Sequence, residues 1–281
     1  MKTAVIDVGG GMRGIYANGI FDRCQDEKLH FDLCIGVSAG SANIASFMAG
    51  QKGRNFFFYT QYAFRREYMS MKTMLKTGSY IDLDYAYGQL SSSQGEYPLD
   101  YAAMKADPAE LLVVATNAVT GEPKYFDKSY VHQDDYDIFK ASSCIPVVCR
   151  PYKIGGTPYF DGALSDPVPV QKALDMGCDK ILLILSKPKD LIRQPGKDLK
   201  IARAIEHKYP AAARLMRQRA QLYNASVALA KELEKEGKLF ILAPEDTCGV
   251  DTLTRSHEAL VEFYARGYQD AAAIKPFLGI Q

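Results

Sequence analysis

Five short apolar runs punctuate the chain, Ala4 to Val8, Leu33 to Val37, Leu111 to Thr116, Ile181 to Leu185 and Leu239 to Ala243, with helix-length stretches of mixed polarity between them. Runs that stay apolar at alternate and intervening positions alike belong to strands buried on both faces. Their alternation with helical segments predicts an α/β fold, a mostly parallel sheet covered by helices. A sixth strand, Thr157 to Phe160, follows the turn signal Gly155-Gly156 and ends at Asp161-Gly162. Pro188 and Pro195-Gly196 break the polar stretch Lys187 to Lys197, the best linker candidate. Beyond it, Asp198 to Glu236 reads as a long helix interrupted near Pro210, with Ala212, Leu215, Leu222, Leu229 and Leu233 on one face. Arg219 falls on that stripe, so it is expected to be a buried ion-pair partner.

Leu33 to Gln51 is free of charge for 19 residues, nominally enough to span a membrane, but it carries Ser38, Ser41, Asn43, Ser46 and three glycines. A buried strand, turn and helix explains it better. With 281 residues, 47% of them hydrophobic, 24% charged and a net charge of +1, the chain can bury a core without staples. The same figures argue against disorder and against nucleic acid as a partner. The six cysteines sit mostly beside apolar neighbours, form no C-x-x-C pair, and read as reduced core residues. No secretory leader pattern precedes the first strand, so the expected location is cytoplasmic. Arg54 to Tyr97 holds 11 of the 31 Phe and Tyr residues together with Met69, Met71 and Met74. Such a stretch builds core between helices, and some of its side chains are expected to line a greasy cavity.

Gly9-Gly10-Gly11-Met12-Arg13-Gly14 follows the first strand and opens an apparent helix from Arg13 to about Gln25, where unsatisfied N–H groups and a positive dipole end would face an anion. The letters also fit the dinucleotide fingerprint G-x-G-x-x-G. That site needs an acid at the far end of the second strand, whereas here Asp32 begins the strand and Gly36-Val37-Ser38 ends it. Gly36-Val37-Ser38-Ala39-Gly40-Ser41 matches G-x-S-x-G between that strand and a small-residue helix, Ala39 to Ala49, the setting a nucleophile elbow needs. Two successive strands ending in such loops suggest one site, in which Ser38 attacks a carbonyl and amides of Gly10, Gly11 and their neighbours stabilise the oxyanion. An ordinary α/β-hydrolase places several strands before its serine, and 37 residues leave room for only two.

The four histidines, His30, His132, His207 and His257, all lie away from the C-terminal ends of the expected strands; His132, in the acidic loop Lys128 to Asp137, is the best of them as a base. Asp161 ends its strand, precedes Gly162-Ala163, and should emerge on the same sheet edge as Ser38. A carboxylate with an ordinary pKa of about 3.9 is a poor base for serine in water, so a dyad requires a partly desolvated site.

Together these residues resemble the patatin-like phospholipases, lipid acyl hydrolases with a three-layer α/β/α fold and a Ser-Asp dyad. Three motifs agree in order and spacing: the loop Gly9 to Gly14, the elbow Gly36 to Gly40, and Asp161-Gly162-Ala163. Val114 to Asn117 through Thr120-Gly121-Glu122, and Ala141 to Pro146, are also similar to family blocks. The resemblance implies Ser38 and Asp161 as catalytic residues, an oxyanion hole from Gly9, Gly10, Gly11, Arg13 and Ala39, and motif roles for Gly14, Gly36, Gly40, Gly162 and Ala163. The family often has an acid immediately before the triple glycine; here that position is Val8 and the acid is Asp7. The likeness covers residues 1 to about 185 well and continues more loosely, implying a catalytic domain over residues 1–190 and a mainly helical region, 191–281, whose one strand completes the same sheet.

The activity implied is hydrolysis of acyl esters of phospholipids or related lipids through an acyl-Ser38 intermediate, without metal or other cofactor. His257-Glu258 lacks the second histidine of H-E-x-x-H, and Asp82-Leu83-Asp84 lacks the glycine and distal glutamate of a calcium loop. Two alternatives stay open: a soluble carboxylesterase or thioesterase with the same dyad, separable by chain-length preference, and a non-catalytic lipid-binding protein on the same fold. The expected partner is a lipid or acyl-ester substrate; the oligomeric state is not legible. Lys197, Lys200, Arg203, Lys208, Arg214, Arg217 and Arg219 stand against only Asp198 and Glu206. That run is a solvated helix face, with peripheral contact to anionic membranes if it lies beside the mouth of the site.

Overall fold

The structure is a computed structural model and describes residues 1–280. Among these, eight strands form one sheet: β1 (Thr3–Asp7), β2 (Leu33–Val37), β3 (Glu110–Asn117), β4 (Pro123–Phe126), β5 (Tyr152–Ile154), β6 (Thr157–Asp161), β7 (Lys180–Ile184) and β8 (Leu239–Leu242). Their order is β5-β6-β3-β2-β1-β7-β8, with β4 paired to β3. The five long apolar runs become β1, β2, β3, β7 and β8, all mutually parallel. The remaining strands pair antiparallel, so the sheet is mixed on the β3 side.

Sequence pattern alone does not reveal β4 and β5. β4 opens on a proline and β5 has three residues, too short for periodicity to register. The Gly155-Gly156 signal is nevertheless the hairpin joining β5 to β6, with φ of 56° and 81°, as two-residue hairpin turns require.

Because side chains alternate along a strand, each parallel strand feeds two cores. Val5, Cys34, Leu111, Val113 and Leu182 face a layer containing α1 (Ile15–Asp26), α2 (Ala39–Met48) and the helix His257–Asp270. Ala4, Ile6, Leu33, Ile35, Leu112 and Leu183 face the other layer, led by the helix Pro210–Lys235. This is the three-layer arrangement. The stretch Asp198 to Glu236 is indeed two helices, Asp198–Ile205 and Pro210–Lys235, but only Ala212 and Leu233 of the expected stripe are fully buried. Ala212, Met216, Ala220, Tyr223, Val227, Ala230 and Leu233 are buried, while Leu215, Leu222 and Leu229 sit half-buried on the flanks. Small residues on the inner face bring the helix close to its neighbours, and the larger leucines cover the edges of that contact. β8 adds to β7, so residues beyond 190 extend the same sheet. Among the described residues no helix is long and apolar enough to cross a membrane.

Candidate active site

β1 and β2 run side by side with Asp7 opposite Gly36, so the loops that follow them open at the same edge of the sheet. The elbow is tight: Ser38 has φ 56° and ψ −133°, a conformation that strains a residue with a Cβ by about 1–3 kcal/mol. A Cβ on Gly40 would lie 2.3 Å from the Asp7 carbonyl oxygen, and one on Gly9 would lie 2.5 Å from that of Val37. The glycine loop therefore packs backbone against backbone on the elbow. α2 begins at Ala39, which sets Ser38 at the positive end of a helix. The Ser38 N–H donates to Ser142 Oγ (2.9 Å), whose hydroxyl donates to the Val114 carbonyl (2.6 Å). Ser41 turns back into the elbow, donating to the Ser38 carbonyl at 2.7 Å.

One expected oxyanion donor is otherwise engaged. The Gly9 N–H donates to Asp7 Oδ1 at 2.8 Å, so Gly9 shapes the loop rather than offering a free amide. The amides of Gly10, Gly11 and Ala39 meet no acceptor among the described residues, and Gly10 and Gly11 line the cleft that holds Ser38. Arg13 lines it too; its Nη1 donates to Thr252 Oγ1 at 3.1 Å, and its Nε is buried without a partner among the described residues.

The acid that stands one position early is thereby accounted for. Asp7, 1% exposed, accepts from Gly9 and from Asn43 Nδ2 (2.8 Å), which also donates to the Gly14 carbonyl (3.1 Å). Two hydrogen bonds to the carboxylate do not offset its desolvation, and burial pushes the pKa up to about 6. A carboxyl whose folded-state pKa is raised contributes stability that is fully present below its unfolded value and is lost as pH rises through the folded one. Asp7→Asn is neutral throughout. Its unfolding free energy relative to wild type should shift in the variant's favour by about 2.5 kcal/mol between pH 4 and pH 7.5, measured by urea titration. A difference independent of pH would show that Asp7 is ionised in the fold at both values.

Asp161 arrives by an unexpected route. β6 runs antiparallel to β3, with Asp161 opposite Ala115, while Val37 lies opposite Val114. The strand thus starts beyond the sheet edge and runs inward, ending level with the elbow. Asp161 is 2% exposed, and its Oδ1 accepts from the Ala163 N–H at 2.9 Å. Burial raises its pKa above the ordinary carboxylate range, opposed first by the charge of Arg219, then by the Ala163 amide, the neighbouring Ser38 hydroxyl and the charge of Arg193. His132 is exposed and bridges to Asp135, and none of the four histidines lines the cleft.

Ser38, Asp161, Ala163, Gly9, Gly10, Gly11 and Arg13 share one cleft enclosing about 660 Å³ with its open mouth. These are residues of three separate motifs, all within the span that matches the patatin-like phospholipase family model, residues 8–174. The chain belongs to the patatin-like phospholipase family. A second model, a domain of unknown function (DUF6363), matches residues 209–278. The chain is similar to the Escherichia coli (strain K12) protein YjjU, itself uncharacterized, with 30% identity over 197 residues, 69% of this chain and 54% of YjjU. It thus spans about half the length of that curated relative. The crystal structure of VipD from Legionella pneumophila superposes with a TM-score of 0.50 at 15% identity, covering 97% of this chain and 66% of VipD, which shows the shared fold.

This patatin-like cleft has a wall that sequence reasoning missed: Lys187, Arg193, Arg219 and Tyr223. The supposed linker Lys187 to Lys197 supplies two of them. Ser186-Lys187 follows β7, the parallel neighbour of β1, so it emerges at the same edge as Ser38; a lysine just past a parallel strand was the available signal. Arg219 is the ion-pair partner expected, though half-buried instead of buried, 3.5 Å from Asp198, which also lies 3.2 Å from Arg193; the Arg219 Nε donates to the Ala163 carbonyl at 3.3 Å. Arg217 pairs with Glu206 (2.6 Å) and Lys208 lies over the Tyr209 ring, both outside the cleft lining. A second cavity of about 590 Å³ shares Gly11 and Thr252 with the first and reaches Ala39. Phe58, Tyr59, Tyr68, Met69 and Tyr87 line it, so the aromatic stretch does build a greasy cavity.

Proposed function

We propose that the protein is a serine lipid acyl hydrolase that cleaves acyl esters of phospholipids or related lipids through a Ser38-Asp161 dyad. The observation that carries this reading is the convergence of a serine on a strained elbow and a buried, desolvated carboxyl in one cleft bordered by unpartnered glycine-loop amides. Asp161 as carboxylate takes the Ser38 proton while Oγ bonds to the acyl carbon. The resulting oxyanion accepts hydrogen bonds from the Gly10, Gly11 and Ala39 amides, each worth about 3–4 kcal/mol to the transition state. Collapse expels the alcohol, which takes the proton back from Asp161 and leaves acyl-Ser38. Water, deprotonated by Asp161, then releases the fatty acid and restores the serine. The aromatic cavity beside Ala39 suits the acyl chain, which favours a lipid over a short soluble ester.

Labelling with a fluorophosphonate probe followed by mass spectrometry tests the assignment: a single adduct on Ser38 is expected, and an adduct confined to another residue overturns it. The base is tested through its neighbour. Asp161 must be ionised to act, so kcat/KM rises with pH through its raised pKa, and the charge of Arg219 holds that pKa down. Arg219→Gln should therefore move the acidic limb of the pH–rate profile to higher pH. A limb that stays in place, or moves down, would detach Asp161 from the proton transfer.

A further inference from the structure

Four cationic side chains, Arg13, Lys187, Arg193 and Arg219, line the cleft that holds Ser38 and Asp161. Like charges collected in a half-buried space repel one another unless something of opposite sign joins them. Asp198 serves Arg193 and Arg219, at 3.2 and 3.5 Å. Arg13 and Lys187 pair with no carboxylate among the described residues; Asp251 acts on Arg13 only at longer range, and the Arg13 Nε is buried without an acceptor. Desolvation and the charges of Arg13, Arg193 and Arg219 together push Lys187 below the ordinary lysine range, with Asp198 the opposing charge. Desolvation, then the charge of Arg219, lowers Arg193 from its own ordinary arginine value. Among the described residues Asp161 is the only carboxylate lining the cleft, with Asp198 behind two of the arginines, so the cleft keeps an excess of positive charge while a substrate is absent.

Three of these four cations lie outside residues 8–174, the span matched by the family model: Lys187 and Arg193 follow β7, and Arg219 is on the helix Pro210–Lys235. The C-terminal region thus adds a charged wall to a site whose nucleophile, base and glycine loop come from the first part of the chain. Guanidinium and ammonium groups around one space, with a buried Nε–H left over, suit a tetrahedral oxyanion with several acceptor oxygens.

We propose that Lys187, Arg193 and Arg219, with Arg13, form an anion subsite that binds a phosphate group carried by the acyl-ester substrate, so that the C-terminal wall selects phosphate-bearing acyl compounds over neutral ones. The proposal rests on the hydrolase reading for its substrate, but the subsite itself does not. A phosphate at this position has two chemical sources, the head group of an acyl glycerophosphate and the phosphates of an acyl-coenzyme A thioester.

Lys187 is the informative position, because its replacement strands no carboxylate. The experiment compares kcat/KM for a monoacylglycerol, the corresponding acyl glycerol 3-phosphate and the corresponding acyl-coenzyme A, at constant acyl chain and ionic strength. Wild type should prefer one of the phosphate-bearing substrates, and which of the two identifies the source. Lys187→Gln should reduce the ratio of that substrate to the monoacylglycerol about tenfold or more, mainly through KM, as loss of a charge-assisted contact does. Lys187→Arg should retain most of the preference. Glycerol 3-phosphate binding to wild type, Lys187→Gln and Lys187→Arg by titration calorimetry needs no turnover, so it separates the two ideas. Binding weakened about tenfold in the glutamine variant alone supports the subsite even if no ester is cleaved. No preference for phosphate in wild type, or a ratio and an affinity unchanged by Lys187→Gln, overturns it.

Discussion

Ser38→Ala should lower turnover of a p-nitrophenyl acyl ester about a thousandfold or more, the scale on which loss of an activated serine acts when the oxyanion donors remain. The two serines bonded into the elbow cannot substitute, and Ser186, which also lines the cleft, sits against the Gly10 side of it. Ser41 donates its hydroxyl to the Ser38 carbonyl and Ser142 uses its own on Val114, so neither is free in the cleft. The fold should survive, because alanine has the same backbone restriction at φ 56° that serine already bears. Ser38→Gly supplies the control: it should be equally inactive yet more stable by about 1 kcal/mol, since glycine accepts positive φ without strain. Retention of more than about a tenth of wild-type turnover by Ser38→Ala would exclude the serine as nucleophile.

Asp161→Asn should be nearly as damaging. The amide preserves shape and can still accept from the Ala163 N–H, but it cannot take the Ser38 proton, and a loss of about a hundredfold to ten-thousandfold is what removal of a general base costs. His132→Ala is the companion measurement and should change turnover by less than about twofold, because His132 is exposed and outside the cleft. The opposite outcome, an active Asp161→Asn and an inactive His132→Ala, would mean that the base is a histidine brought in by movement of the loop around Asp134. Asp161→Asn also removes a buried ionisable group, so its stability relative to wild type should improve as pH rises; circular dichroism melts keep that effect apart from the catalytic loss.

Much of this protein is local, and local features were legible. Five parallel strands announce themselves because burial on both faces demands unbroken apolar runs, and each run falls within a residue of a strand. The elbow is legible for the same kind of reason: Gly36 and Gly40 flank a serine between a strand and a helix, and only that residue choice permits the turn. Gly155-Gly156 marked its hairpin, although the three residues before it carried too little pattern to be read as a strand.

What depended on distance along the chain was not legible. Asp161 does end level with Ser38, but on a strand that enters from beyond the sheet edge instead of leaving it, and strand direction follows from pairing, not from the residues of β6. Leu215, Leu222 and Leu229 of the helix Pro210–Lys235 suggested a buried stripe that packing gave instead to alanine, methionine, tyrosine and valine beside Leu233, because the inner face is chosen by the fit against its neighbours. Lys187 to Lys197 looks like a linker in composition and is a wall of the cleft in space. Its position follows from the order β1-β7-β8, and no segment encodes strand order by itself. The sequence alone therefore determined where the elbow serine and the strand-ending aspartate stand, since strained turns and buried strands restrict residue type locally. Only the tertiary structure decided which charges surround them, because the energy that gathers Arg13, Lys187, Arg193 and Arg219 around one cleft comes from burying the sheet between its two helical layers.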